Sequence, residues 1–138
     1  PFCGYHMADY YSHWLKMGNV ASTPVPIFMV NWFRTDENGG FAWPGFGDNA
    51  RVLKWIIDRC EGRVSGVESA LGIVPKYEEI DWTGADFSEA QFNNVTKIDK
   101  EVWLGELAGV KEWFEKMGSK LPPKLAAIRD ELEAKFKA

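Results

Sequence analysis

Between residues 31 and 51 the sequence interleaves aromatic side chains with glycines, a combination suited to binding a flat ligand. The aromatic residues are Trp32, Phe33, Phe41, Trp43 and Phe46, and the glycines are Gly39, Gly40, Gly45 and Gly47. Glycine removes side-chain bulk, so a planar ring can approach the backbone while aromatic faces stack on it. Asn49, whose amide both donates and accepts, could read the edge of that ring. The segment suggests a nucleobase slot; the alternative is the core of a small sheet with a glycine hairpin.

The chemistry of such a slot is limited to holding a base. Stacking on aromatic side chains contributes ~1–3 kcal/mol per base. Two stacked faces with edge hydrogen bonds would reach about 4–6 kcal/mol, a dissociation constant of roughly millimolar to tens of micromolar. No G-x-x-x-x-G-K-S/T phosphate-binding loop occurs in the sequence. If the ligand is a nucleotide, its phosphates must be held by residues that this chain lacks.

The remaining polar residues do not form a second site. His6 and His13 are seven apart, whereas paired metal ligands on a helix are usually three or four apart, so we expect packing or surface roles. Cys60 is expected to be a packed thiol near the end of a helix. We expect a solvated acidic loop and two surface arginines beside the glycines: Glu78, Glu79 and Asp81, and Arg34 and Arg51. The sequence thus predicts no metal ligands and no catalytic residues.

The composition fits one globular domain with an excess of aromatic residues. The chain has 138 residues, 14% of them aromatic, including 7 Trp and 9 Phe. A net charge of −4 without a basic cluster argues against nucleic-acid binding, because neutralising phosphates requires clustered Lys and Arg. No apolar stretch reaches the ~18 residues of a membrane-spanning helix. Two cysteines predict free thiols in a reducing cytoplasm.

Before the slot, the pattern predicts a helix and a strand. Residues 5–17 have helical spacing, and Gly18-Asn19 is expected to end that helix. The apolar run at 27–33 predicts a buried strand. After the Asn-Gly-Gly turn signal, residues 41–43 could return as its partner strand.

After the slot, the pattern predicts mainly helices. Asp48 or Asn49 should cap a helix at 50–61 whose apolar face is formed by Val52, Leu53, Trp55, Ile56 and Ile57. Residues 63–87 look irregular, and Ser88-x-x-Gln91 resembles a capping box. A stripe over 97–117 predicts a second long helix (Trp103, Leu107, Val110, Phe114 and Met117). With a final helix at 123–137, this predicts a C-terminal hairpin.

Taken together, these elements predict an α+β class with more helix than strand, in one unit spanning 1–138. Four aromatic residues are assigned to packing: Trp14, Trp55, Trp103 and Phe114. The start at Pro1, without an initiator Met, suggests a cut through a longer, mixed α/β protein.

Residues 30–34 (VNWFR) and 41–53 (FAWPGFGDNARVL) make the sequence similar to one known family. The chain resembles the C-terminal part of the GTP-dependent phosphoenolpyruvate carboxykinases. Supporting matches include His13-Trp14-Leu15, Gly72-Ile73-Val74-Pro75 and Leu121-Pro122. The resemblance covers nearly the whole chain.

The resemblance implies a parent enzyme that converts oxaloacetate and GTP to phosphoenolpyruvate, GDP and carbon dioxide with Mn²⁺ or Mg²⁺. It implies that Phe33, Phe41 and Phe46 hold guanine, that Asn49 reads its edge and that Trp32 supports the wall. The family's P-loop, metal ligands and substrate-binding arginines would precede Pro1, so the resemblance implies that this part is inactive alone and is completed by the N-terminal part. The alternatives are a non-catalytic aromatic-rich module for a peptide or carbohydrate, and a purely structural unit that completes a larger core.

Overall fold

The computed structural model describes residues 2–138. Its helices are α1 (Met7–Val20), α2 (Asn49–Cys60), α3 (Glu89–Thr96), α4 (Lys100–Met117) and α5 (Pro123–Lys137), and its strands are β1 (Val67–Ser69) and β2 (Gly72–Val74). The helix-rich α+β class is confirmed. The chain divides into a central unit, Pro26–Lys97, and a terminal unit formed by residues 2–25 with Ile98–Ala138. That residues 1–138 act as a single domain stays a prediction.

In the terminal unit, α1 is displaced from its predicted bounds. His6 Nδ1 accepts a hydrogen bond from the Ala8 amide (3.2 Å) and so caps the first turn. The predicted stop at Gly18-Asn19 is wrong, because the helix continues to Val20. Glycine inside a helix costs about 1 kcal/mol relative to alanine but can keep helical backbone angles, so it weakens the helix without ending it.

The predicted C-terminal hairpin of α4 and α5 is confirmed. The two helices pack together, and the rings of Trp103 and Phe136 stack with centroids 6.1 Å apart. Leu107 and Met117, two members of the predicted stripe, are buried. Gly118 ends α4 at a φ of +58°, a left-handed conformation that glycine adopts without steric cost.

Trp14 does not pack as predicted. It is 54% exposed and meets Tyr10 edge to face, with ring centroids 6.0 Å apart. Tyr10 and Met17, which share its helical spacing, are exposed as well. The periodicity therefore marks an apolar helix face that is exposed to solvent. None of the described helices is long and apolar enough to cross a membrane.

The core of the central unit is an aromatic cluster, which explains most of the aromatic excess. Its buried members are Trp43, Trp55, Ile80, Phe87 and Phe92, and Trp32, Tyr77 and Trp82 pack against them. Trp82 lies between its neighbours, with ring centroids 5.3 Å from Tyr77 and 5.1 Å from Phe87. Tyr77 and Trp82 belong to residues 63–87, for which the sequence pattern predicts irregular structure.

The predicted buried strand at 27–33 does not form. Ile27 and Met29 are 80% and 81% exposed, and the run has no regular secondary structure. A strand needs a neighbour to complete its backbone hydrogen bonds, and no described residue pairs with this run. The predicted return at 41–43 is reduced to one antiparallel bridge between Thr35 and Phe41.

The sheet forms instead as a β-hairpin within 63–87. Strands β1 and β2 are antiparallel, with Val67 opposite Val74. Gly66 precedes β1 at a φ of +64°, and a Cβ atom there would lie 2.6 Å from Ile73 Cγ2. Only glycine can therefore make this approach.

Helix α2 covers the core with a narrower face than predicted. Trp55 is buried and Val52 and Ile56 are half-buried, but Leu53 and Ile57 are exposed. Cys60 is also exposed, so the prediction of a packed thiol is wrong. Residues at the sides of an apolar helix face can be buried or exposed, depending on how much of the helix the neighbouring elements cover. The sequence pattern alone does not give that coverage.

Glu79 is a structural carboxylate, which corrects the prediction of a solvated acidic cluster. Its Oε2 accepts a hydrogen bond from the Trp55 indole, and its Oε1 accepts one from the Gly66 amide (both 2.9 Å). The amides of Ser65 and Lys76 donate longer bonds. Burial raises the pKa of Glu79, but these hydrogen bonds to the charged form outweigh burial and leave the pKa below its ordinary value.

Glu79→Gln should lower the free energy of unfolding by about 1–3 kcal/mol at neutral pH, because charge-assisted hydrogen bonds are lost. Since folding lowers the pKa of Glu79, its stabilisation is complete above the ordinary pKa of 4.5 and is lost as the pH falls through the folded-state value. The difference between wild type and variant should therefore shrink in acid. Urea unfolding followed by tryptophan fluorescence measures it.

The matched control is Glu78→Gln, which removes the neighbouring, exposed carboxylate. It should leave stability nearly unchanged at every pH. A Glu79→Gln deficit that stays the same from neutral to acidic pH would contradict the assigned role.

Candidate functional site

The three phenylalanines of the predicted slot lie on the surface of the central unit. Phe33, Phe41 and Phe46 are 72%, 68% and 93% exposed, whereas Trp43 is buried and Trp32 half-buried. The aromatic residues of this segment therefore divide by type. The tryptophans belong to the core, as the alternative interpretation expected, and the phenylalanines present free faces.

Phe33 and Phe41 lie side by side. Their ring centroids are 6.0 Å apart with the rings inclined at 63°. The bridge between Thr35 and Phe41 holds the two backbones together, and the Ala42 amide donates to the Arg34 carbonyl (2.8 Å). The two aromatic rings are therefore held next to each other at the open end of a hairpin that has a single β-bridge.

Asp36 organises the loop that joins these two phenylalanines. Its Oδ1 accepts hydrogen bonds from the amides of Asn38 and Gly40, both at 2.9 Å. The Asp36 amide in turn donates to the Gly40 carbonyl (2.8 Å). The sequence pattern indicated a turn here, but not that one carboxylate closes it.

The two arginines anchor the segment rather than lying free at the surface as predicted. Arg34 Nη1 donates to the carbonyls of Val95 and Lys97 (3.1 and 2.6 Å), at the end of α3. Such carbonyls are left unpaired by the helix itself, so the arginine caps α3 while fixing the chain next to Phe33.

Arg51 anchors the start of α2, next to the predicted slot residues Phe46 and Asn49. Its Nε pairs with Asp48 Oδ1 (2.8 Å), and its Nη atoms donate to the carbonyls of Asp81 and Thr83, the latter at 3.0 Å. Hydrogen bonds from Thr83 lower the pKa of Asp81, and the Arg51 charge lowers it further. The start of α2 is thereby tied to the loop before α3.

Phe46 and Asn49 occupy one short turn at the start of α2. Gly45 has a φ of +134°, and Phe46–Asp48 then form a 3₁₀ turn in which the Asn49 amide donates to the Phe46 carbonyl. Asp48 takes the predicted N-cap position, but its side chain binds Arg51 instead of a helix amide. Phe46 forms no ring pair with another described aromatic residue, so its face is free.

Asn49 is half-buried, and its side chain is oriented by the core. The Asn49 Oδ1 accepts a hydrogen bond from the Trp43 indole at 2.8 Å. Trp32 packs against Trp43 with ring centroids 5.9 Å apart. Trp32 is thus linked to Asn49 through Trp43, and its supporting role in the slot stays a prediction.

The site can stack a planar ring and form hydrogen bonds at its edge. Its exposed faces are uncharged, and the arginines beside it are committed to backbone carbonyls. Within residues 2–138, no three His, Cys, Asp or Glu side chains come together to hold a metal ion. That these residues recognise a base stays a prediction.

Comparison with known proteins defines the class of protein that carries this site. Residues 1–135 match the family described as the phosphoenolpyruvate carboxykinase C-terminal P-loop domain. Because this match covers nearly all of the chain, the chain belongs to that family.

Individual relatives narrow the class to the GTP-dependent enzymes. The chain is 45% identical to phosphoenolpyruvate carboxykinase [GTP] of Arthrobacter sp. (strain FB24), over 99% of this chain and 23% of the relative. It is 47% identical to that of Paenarthrobacter aurescens (strain TC1), over 96% and 22%. It is 45% identical to that of Treponema pallidum (strain Nichols), over 99% and 22%. The chain thus spans less than a quarter of the length of these relatives.

Asp36→Ala should loosen the hairpin that carries Phe33 and Phe41, because two loop amides lose their acceptor. We expect the Asn38 and Gly40 amides to exchange with solvent roughly two- to tenfold faster, the change that one weakened hydrogen bond produces. Hydrogen exchange measured by NMR tests this. Glu37→Ala, at the exposed neighbour in the same loop, should leave both rates unchanged, and unchanged rates in Asp36→Ala would disprove the loop's dependence on this carboxylate.

Proposed function

We propose that this chain is the C-terminal part of the nucleotide-binding domain of a GTP-dependent phosphoenolpyruvate carboxykinase. The proposed parent enzyme decarboxylates oxaloacetate, transfers a phosphoryl group from GTP, and releases phosphoenolpyruvate, GDP and carbon dioxide, a reaction of gluconeogenesis. Family membership and relatives named for this enzyme support the proposal. A cytoplasmic location remains a prediction.

Within that enzyme, the proposed role of this chain is to hold guanine. The observation that carries this role is the exposure of three phenylalanines in one segment: Phe33 and Phe41 flank the loop held by Asp36, and Phe46 lies in the turn before α2. Phe33 and Phe41 form an exposed aromatic pair, and a purine base matches their flat faces. Phe33, Phe41 and Phe46 would stack on the base, Asn49 would read its edge, and Trp32 would support the wall.

Catalysis is proposed to depend on the rest of the enzyme. Phosphoryl transfer requires metal ions and cationic groups around the migrating phosphoryl group. The sequence has no P-loop motif, and its described residues hold no metal-ligand cluster. The Mn²⁺ or Mg²⁺, the oxaloacetate and the phosphates would be bound elsewhere, and the 138-residue chain alone would be inactive.

A second surface of the central unit is proposed to dock the rest of the same polypeptide. A groove of about 620 Å³ runs between α2, β2 and residues 26–30, and apolar side chains dominate its lining. Ile27 and Met29 at its edge are largely exposed, although their run has the length and character of a buried strand. Relatives more than four times as long as this chain supply an occupant, since the chain covers only 23% of the first.

The module for a peptide or carbohydrate is not favoured. Its support was the aromatic content of the loop, and most of the tryptophans responsible lie in the core. The family match supports guanine as the ligand proposed for the exposed rings, with no second type of ligand needed.

GTP titrated into the 138-residue chain should shift NMR signals of residues 33–49 weakly, whereas ATP should shift them less. Phe46→Ala should weaken GTP binding by ~1–3 kcal/mol through the loss of one stacking face. Trp113→Ala removes an exposed aromatic ring of the terminal unit and serves as the control. Equal shifts with GTP and ATP, or an unchanged constant in Phe46→Ala, would refute guanine binding here.

Met29→Asp should weaken association between this chain and the rest of the enzyme when the two parts are produced separately and mixed. We expect at least a hundredfold loss, because an unpaired charge buried at an interface costs about 3–5 kcal/mol. Calorimetry measures the affinity. Val102→Asp, at an exposed apolar residue of α4, is the control, and equal affinity of Met29→Asp and wild type would remove the groove from the docking surface.

A further inference from the structure

The indole of Trp43 is buried in the core, yet its N–H meets the polar side chain of the proposed guanine site. Nε1 lies 2.8 Å from Asn49 Oδ1 and 3.1 Å from the Gly45 carbonyl oxygen. The ring is packed against Trp32 and Phe87, with centroid distances of 5.9 and 5.7 Å. Trp43 is only 7% exposed. A ring held this firmly cannot turn to follow its partner, so the hydrogen bond sets the orientation of Asn49.

An indole N–H can only donate, so the Asn49 atom that it meets must be the oxygen. The amide is thereby held with Oδ1 toward Trp43 and Nδ2 away from it. Nδ2 makes no hydrogen bond to a described residue. Since no buried side-chain nitrogen or oxygen among the described residues lacks a partner, Nδ2 is open to solvent.

The backbone around Asn49 leaves little other freedom. The Asn49 amide is bound to the Phe46 carbonyl, and Asn49 is the first residue of α2. Arg51 ties the preceding residue, Asp48, to the loop before α3. The side-chain amide can still rotate, and the Trp43 hydrogen bond favours the orientation with Oδ1 toward the indole over the flipped one.

We propose that Trp43 is a positioning residue that makes the guanine site selective, an inference that rests on the proposed function. By fixing Asn49, it presents a donor and not an acceptor to the bound base. Guanine carries the acceptor O6 where adenine carries an amino donor. An unrestrained asparagine can flip to suit either base, whereas a fixed Nδ2 donor pairs with O6 and opposes the amino group of adenine.

The test is the ratio of GTP to ATP affinity in the full-length enzyme that contains this segment. Trp43→Phe keeps an aromatic ring in the core but removes the N–H, so the ratio should fall about five- to tenfold, the value of one hydrogen bond. Trp82→Phe is the matched control, because it removes another indole hydrogen bond of the same core, to the Tyr77 carbonyl at 2.9 Å, without touching Asn49. It should leave the ratio unchanged.

Two further variants separate positioning from stability. Asn49→Ala should lower the ratio, and Trp43→Phe should add nothing once Asn49 is alanine, as expected when one residue acts only through the other. Asn49→Asp keeps the acceptor for Trp43 but loses the donor, so it should lower the ratio even if Trp43→Phe does not fold.

The outcomes distinguish this inference from the proposed function. If Asn49→Ala lowers the ratio and Trp43→Phe does not, or if the double variant is additive, Trp43 does not position Asn49 but the guanine site stands. If Asn49→Asp keeps the wild-type ratio, the Nδ2 donor is not what selects guanine. If wild type shows no preference for GTP and Phe46→Ala changes nothing, the proposed function and the inference both fail.

Discussion

A buried indole must find an acceptor for its N–H, and the central unit is built around meeting that requirement. Trp43 donates to Asn49 and Gly45, Trp55 to Glu79, and Trp82 to the Tyr77 carbonyl. An unpaired donor in this core would cost about 1–3 kcal/mol. Each acceptor comes from a loop or from a helix end, so packing the core also fixes the irregular segments around it.

This requirement explains why the aromatic residues of segment 31–51 divide by type. Phenylalanine has no polar atom and can be exposed or covered without regard to hydrogen bonding, so Phe33, Phe41 and Phe46 can offer bare faces. Tryptophan is favoured inside, where its large ring fills space and its N–H reaches outward to a loop. The surface of the site and the core beneath it are therefore two layers of one arrangement, joined by the hydrogen bond from Trp43 to Asn49.

Local signals predicted much of this fold, and long-range contacts explain the errors. Three predicted features depend only on residues close together in the sequence, and all three are present: the Ser88 capping box, the end of α4 at Gly118 and the apolar stripe of α4. Other features depend on residues far apart in the sequence. They are the hydrogen bonds that Glu79 accepts, the contacts of the two arginines and the position of the sheet. The run at 27–33 has the pattern of a buried strand but no partner among the described residues. For the proposed site, the sequence pattern predicts the segment and the resemblance implies its residues, whereas the hydrogen bond from Trp43 to Asn49 is seen only in the folded structure.

The anchor of Arg34 has a consequence for the order of events during synthesis. Its acceptors lie 61 and 63 residues further along the chain. A ribosome adds ~5–20 residues per second. The carbonyl acceptors of Arg34 are therefore synthesised roughly 3–12 s after Arg34 itself. During that interval the aromatic faces are exposed on an unanchored segment. The hairpin that carries Phe33 and Phe41 can therefore reach its anchored position only after α3 has been synthesised.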